Sequence, residues 1–103
     1  MAEPAYLITN ETKTELGDRV VLYYYVIESK PTENEFNART YGIGIDMYTQ
    51  RPGQRTLKER KYIENVFTNE KDAKTMTDVL CRGCVTPVTL KDVLYDRLSQ
   101  AVI

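Results

Sequence analysis

Histidine is missing from the sequence altogether. With it go the commonest general base, the commonest metal ligand and the side chain that titrates near neutrality without assistance. Cysteine is scarce: Cys81 and Cys84 are the pair, and no second pair completes a four-ligand zinc site. The opening residues, Met1-Ala2-Glu3-Pro4, carry neither the basic leader nor the apolar stretch of a signal peptide. Secretion is therefore not expected, and the cysteines are expected to stay as thiols in a reducing cytoplasm. Long hydrophobic runs are lacking as well. The longest, Val20 to Ile27, is eight residues, against about 20 for a membrane-spanning helix. Nor is there an excess of either charge: 14 basic and 15 acidic residues leave a net charge of −1, which draws in neither nucleic acid nor an anionic membrane over long range.

What is present suits one packed domain. At 103 residues, 42% apolar and 28% charged, the chain can bury a single core and is too short for two ordinary domains. A short first strand is expected at 5–9, with Gly17-Asp18 as the turn into a second strand at 19–28. That second strand holds Val20-Val21-Leu22-Tyr23-Tyr24-Tyr25-Val26-Ile27, all β-branched, aromatic or Leu, as a buried pleated surface requires. A polar loop follows to Arg39. In the third strand, 40–48, Tyr41, Ile43, Ile45 and Met47 alternate with Gly42, Gly44 and Asp46, so one face is apolar and the other almost bare. Pro52-Gly53 signals a turn, and a fourth strand is expected at 61–68.

After Asn69 the apolar period changes from two to helical. Glu70 and Asp72 in the first turn and Gly83 beyond Arg82 bound a helix over 70–82, with Thr68 or Asn69 as its cap and Gly83 as its left-handed stop. A second helix over 90–101 carries the stripe Leu90, Val93, Leu94, Leu98 and Ala101. Thr89 is expected to cap it by accepting from the Asp92 amide, with Val88 and Val93 as a hydrophobic staple. The fold expected is α+β: a four-stranded antiparallel meander followed by two helices packed on one sheet face.

Three stretches, Tyr23-Tyr24-Tyr25-Val26-Ile27-Glu28, Tyr41-Gly42-Ile43-Gly44-Ile45 and Val85-Thr86-Pro87-Val88-Thr89-Leu90-Lys91-Asp92-Val93, resemble an uncharacterised family of small proteins of about this length from clostridia and related Firmicutes. The resemblance covers most of Val20 to Leu98. It implies a bacterial, cytosolic protein and carries no assigned site residues, cofactor or activity.

Chemistry has few places to reside. Cys81-Arg82-Gly83-Cys84 has the spacing of a redox dithiol or half a zinc site, but it falls at a helix C-terminus, where the dipole favours the protonated thiol. Packing of two small side chains near a helix end is the plainer reading. Residues 51–61 hold Arg51, Arg55, Lys58, Arg60 and Lys61 against Glu59 alone, whereas residues 1–50 hold four basic and eight acidic groups. A hairpin loop over 51–61 is thus the candidate site for an anion or a nucleic-acid backbone, with solvated surface as the plain alternative. Gly42-Ile43-Gly44 lacks the third glycine and following helix of a dinucleotide fingerprint. A helix-turn-helix reading of the C-terminal pair fails on charge, because Asp92 and Asp96 would face the phosphates. With no nucleophile elbow and no distinctive carboxylate pair, catalysis is not expected, and neither is a cofactor.

A further expectation concerns the second strand, which is apolar on both sides. Its even-numbered row can meet the helices; the odd-numbered row needs a different cover. Gly42 and Gly44 leave room for tyrosines to lie across the backbone, so Tyr23, Tyr25, Gly42, Gly44 and Tyr48 form the candidate interaction surface for a protein partner, most simply a second copy of the chain. Loops bearing Phe36 and Leu57 folding back over the patch are the alternative.

Overall fold

The computed structural model describes residues 6–13, 17–33 and 38–100. Four strands, β1 (Tyr6–Lys13), β2 (Arg19–Ser29), β3 (Thr40–Arg51) and β4 (Gln54–Phe67), precede two helices, α1 (Glu70–Arg82) and α2 (Leu90–Gln100). The strands form one sheet in the order β1-β2-β3-β4, each antiparallel to its neighbour. This is the expected α+β meander with C-terminal helices. Ala5, Phe36 and Ala101 lie outside the described residues.

Pairing sorts the side chains onto two faces, because successive residues of a strand point in opposite directions. Val26, Tyr24 and Leu22 of β2 stand beside Ile43, Ile45 and Met47 of β3 and beside Tyr6, Ile8 and Asn10 of β1. This face receives both helices. Leu22, Tyr24, Ile43 and Ile45 form one buried cluster with Leu80 of α1 and Leu90 and Leu94 of α2, with Val93 and Leu98 packed at its margin. Val26 and Tyr41 close on Ala73 in a second cluster. The polar atoms taken into this interior have partners. The Tyr24 hydroxyl donates to the Val85 carbonyl at 2.9 Å, and the Thr77 hydroxyl donates to the Ala73 carbonyl at 2.7 Å.

α1 begins and ends where its flanking residues predict, with one exchange of roles. Asn69 is the N-cap, its side-chain oxygen accepting from the amides of Lys71 (2.7 Å) and Asp72 (3.4 Å). At the other end Gly83 is not the left-handed residue: its φ is −84°, while Cys84 has φ 52°. The Val85 amide reaches back to the Leu80 carbonyl and the Cys84 amide to the Cys81 carbonyl, each at 3.1 Å. Those two bonds make a Schellman cap with cysteine where glycine is the usual residue.

α2 starts differently from expectation. A 3-10 turn, Pro87–Thr89, runs directly into it, with Thr86 as the N-cap residue and Pro87 at the first position. The Thr89 hydroxyl donates backwards to the Thr86 carbonyl at 3.3 Å instead of capping the Asp92 amide. Val88 is 72% exposed, so the expected staple with Val93 is absent.

The largest departure is in β4, which begins at Gln54 and not at residue 61. Arg51 pairs with Gln54 across Pro52-Gly53, and Gly53 takes φ 75°, the conformation a Pro-Gly turn needs at its second position. The expected loop over 51–61 is therefore the end of β3, a two-residue turn and the first half of β4. β1 likewise runs on to Lys13.

Candidate functional site

The second face of the sheet is a lattice of side chains four strands wide. One row runs Leu7, Tyr25, Gly44, Tyr62; the next Thr9, Tyr23, Asp46, Arg60; the next Glu11, Val21, Tyr48, Leu57. A charged row of Lys13, Arg19, Gln50 and Arg55 closes the hairpin end. Of the expected surface residues, Tyr23, Tyr25, Gly44 and Tyr48 come together here.

Gly44 is the centre. A Cβ on it would stand 2.3 Å from Cζ of Tyr25, so the bare backbone is what lets that ring lie flat across β3. The Tyr25 hydroxyl then donates to Oδ1 of Asp46 at 2.9 Å. The Arg60 guanidinium forks onto the same carboxylate, Nε to Oδ1 and Nη2 to Oδ2, both at 3.0 Å. Burial, followed by the bond to Asp46, pushes the Tyr25 phenol well above its ordinary range. The hydrogen bond to Asp46 likewise secures the charge on Arg60. Beside this group Tyr23 and Tyr48 meet edge to face with ring centroids 5.4 Å apart. Arg55 stacks over Tyr23 at 5.7 Å and donates to its hydroxyl and to Gln50. Tyr25 is thus held by a carboxylate and a guanidinium that neutralise one another, and Tyr23 by Arg55, which Gln50 steadies.

Gly42 does not share this role. Its missing Cβ would lie 2.2 Å from the Ile63 carbonyl oxygen, so the space is filled by β4 backbone and not by a tyrosine. Pairing runs from Tyr41↔Phe67 to Ile43↔Ile63, which sets Glu64, Asn65 and Val66 opposite Gly42 alone. Asn65 carries the bulge at φ 57°, a conformation asparagine accepts more readily than most residues, and its side chain accepts from the Thr40 hydroxyl.

Asp46, Arg60, Tyr62, Leu57 and Leu7 belong to the surface and were not among its expected members. Asp46 shares the parity of Gly42 and Gly44, a signal already in the β3 pattern; the others enter only through cross-strand register. Leu7, Leu57 and Tyr62 are 50%, 42% and 51% exposed. Among the described residues no helix lies over this face, and Leu57 belongs to the face instead of covering it.

The basic residues of 51–61 are dispersed by the strand. Arg55 and Arg60 are engaged on the open face. Arg51 pairs with Asp18 at 3.2 Å and, with Lys58, Thr49, Gln54 and Thr56, lines an open polar groove at the hairpin end. Lys61 stands opposite Ile45 on the helix side. The strand spreads these cations over both faces of the sheet, so they do not gather into one anion cradle.

Cys81 and Cys84 are free thiols. Desolvation, with smaller contributions from Cys84 and Asp78, pushes the Cys81 thiol above its ordinary range, the opposite of what an activated nucleophile needs. Among the described residues no group of three or more Cys, Asp or Glu side chains is placed to hold a metal ion.

A family model, described as a family of unknown function (DUF6514), matches residues 5–100. The chain belongs to DUF6514. The match takes in all four strands and both helices, so the tyrosine face lies wholly within the family domain. No curated protein and no solved structure matches the chain.

Proposed function

We propose that this DUF6514 domain is a non-catalytic interaction module of the bacterial cytoplasm that self-associates through the open face of its sheet. The observation that carries this reading is the row Leu7, Tyr25, Gly44, Tyr62 with its neighbours Tyr23, Tyr48 and Leu57, an aromatic surface left bare by both helices. Tyrosine on a rigid strand offers large contact area at little entropic cost and is enriched at interfaces.

Shape favours a second copy as the occupant. The molecule measures 46 × 34 × 19 Å with a Cα radius of gyration of 14.6 Å, against about 13 Å for a compact domain of this length. The described residues form two layers, a sheet and a pair of helices on one side of it. Four strands at about 4.8 Å spacing and a length near that of β2 give a face of roughly 700 Å², comparable with the roughly 800 Å² that each partner buries in a standard interface. The Asp46–Arg60 pair leaves the two central rows of the face without net charge, while Lys13, Arg19 and Arg55 against Glu11 keep the hairpin end cationic. Two such sheets would stack as the layers of a β-sandwich.

Support for the cytoplasm comes from the two free cysteines and, with the clostridial or related Firmicute origin, from the resemblance of the tyrosine and glycine strands. No helix of the described residues is long and apolar enough to cross a membrane, and nucleic acid is not proposed as a partner.

Light scattering during size-exclusion chromatography tests the proposal. A dimer is expected at micromolar concentration, and Leu57→Glu with Tyr62→Glu, both at exposed positions, is expected to give a monomer with an unchanged circular dichroism spectrum. A wild-type monomer at high micromolar concentration overturns self-association.

A further inference from the structure

Cys84 holds the left-handed conformation at φ 52°, which strains an ordinary residue and which glycine would take freely. Strain of this kind, at a residue with its own chemistry, points towards a use for it. The segment Cys81-Arg82-Gly83-Cys84 is also a closed turn: the Cys84 amide donates to the Cys81 carbonyl at 3.1 Å, and Gly83 sits at φ −84°, ψ 1°, as the third residue of a type I turn does. The corners of such a turn have Cα atoms within about 7 Å, and disulfides span about 4.4–6.8 Å.

The side chains converge on one dipeptide of β1. The Asn10 amide nitrogen donates to the Cys81 carbonyl at 2.9 Å and to Sγ of Cys84 at 3.1 Å, while Sγ of Cys81 lies 3.7 Å from the Thr9 carbonyl. Backbone spacing, sulfur direction and an anchoring side chain thus agree. Cys84 is exposed and Cys81 half-buried, which separates an entry thiol from a second one behind it.

We propose that Cys81 and Cys84 are a thiol–disulfide exchange site for low-molecular-weight disulfides, closing to an internal disulfide across this turn. The Cys84 thiolate attacks one sulfur of the small disulfide; a mixed disulfide forms and one small thiolate leaves. The Cys81 thiolate then attacks Sγ of Cys84, the internal bond forms and the second small thiolate leaves. Two protein thiols are oxidised, one small disulfide is reduced to two thiols, and the protons of the cysteines pass to the departing thiolates. The site stands on the opposite face of β1 from the tyrosines, and its test is independent of self-association.

The reduced full-length protein is incubated with oxidised glutathione, alkylated, and analysed by intact mass and peptide mapping. The expected product is a single chain with both cysteines protected, no retained glutathione and an internal bridge between 81 and 84. Cys81→Ser is expected to retain one glutathione at Cys84. In Cys84→Gly, which relieves the backbone strain, Cys81 is expected to react at least about tenfold more slowly than Cys84 does in the native chain. Wild-type protein that keeps glutathione, bridges between chains or stays fully alkylatable overturns the proposal, whatever the variants do.

Discussion

Two glycines two residues apart in β3 do different work, and alanine at each should reveal it. At Gly44 the new methyl meets the Tyr25 ring, a side chain on an open face that can swing away at the loss of its bond to Asp46. A cost of about 1–3 kcal/mol is expected from this overpacking. At Gly42 the methyl meets backbone of β4, which cannot move without opening the sheet, so the cost should exceed that of Gly44→Ala. Urea denaturation of the two variants checks the order; equal midpoints would contradict it. The buried phenols give a second residue-scale expectation. Tyr24, through burial, and Tyr25, through burial and then Asp46, both ionise well above the ordinary value near 10. The folded state therefore keeps protons that the unfolded chain releases, so their contribution is complete below pH 10 and declines as pH rises beyond it. The urea midpoint should fall above about pH 10, and Tyr25→Phe should flatten that fall. The tyrosine face was legible in the sequence because β2 is apolar on both sides. Asp46 was legible from its parity with Gly42 and Gly44, whereas Arg60 and Tyr62 were not, because each belongs to the face only through pairing with β3.

At the scale of elements, signals contained in one segment were reliable and signals requiring a partner were not. α1 occupies its expected span because Asn69, Glu70 and Asp72 act within a single turn. Asn69→Ala should destabilise by about 1 kcal/mol. Thr89→Ala, whose hydroxyl turns back to Thr86 and caps nothing downstream, should change stability by less than about 0.5 kcal/mol. Thermal or urea melts that reversed this order would return the cap to Thr89. α2 begins at Leu90 as its apolar stripe indicates, but the Thr86-Pro87 start of the 3-10 turn ahead of it went unread, with the cap expected at Thr89 instead. β4 was hidden for a different reason. Residues 54–61 alternate poorly and are rich in charge, since both of their faces reach solvent beyond the helices. Hairpin closure at Pro52-Gly53 makes this half of the strand, and burial contributes little. Charge along an outer strand also discourages unwanted pairing with other sheets. Lys58, Glu59, Arg60 and Lys61 serve that end whether or not any of them binds a ligand.

Among the described strands of the molecule, only β2 and β3 have a strand on both sides. Their amides should exchange with solvent most slowly, and those of β1 distinctly faster. Hydrogen–deuterium exchange with peptide resolution measures this, and equal protection of β1 would contradict it. β1 is nonetheless fastened across the chain: the Tyr6 hydroxyl donates to Asp78 at 2.7 Å, and Asn10 donates to the Cys81 carbonyl. Those contacts join residues 72 and 71 positions apart, while every strand pairing joins sequence neighbours. The consequence falls on the chain as it is being made. At roughly 5–20 residues per second, β1 leaves the ribosome some seconds before the helix that will hold it exists. During that interval β1 has β2 alone to pair with, and the hairpin of β3 and β4 completes a sheet whose two faces are both still bare. The order of synthesis therefore leaves the helix-side apolar rows of β1 to β4 without their cover until α1 and α2 have emerged.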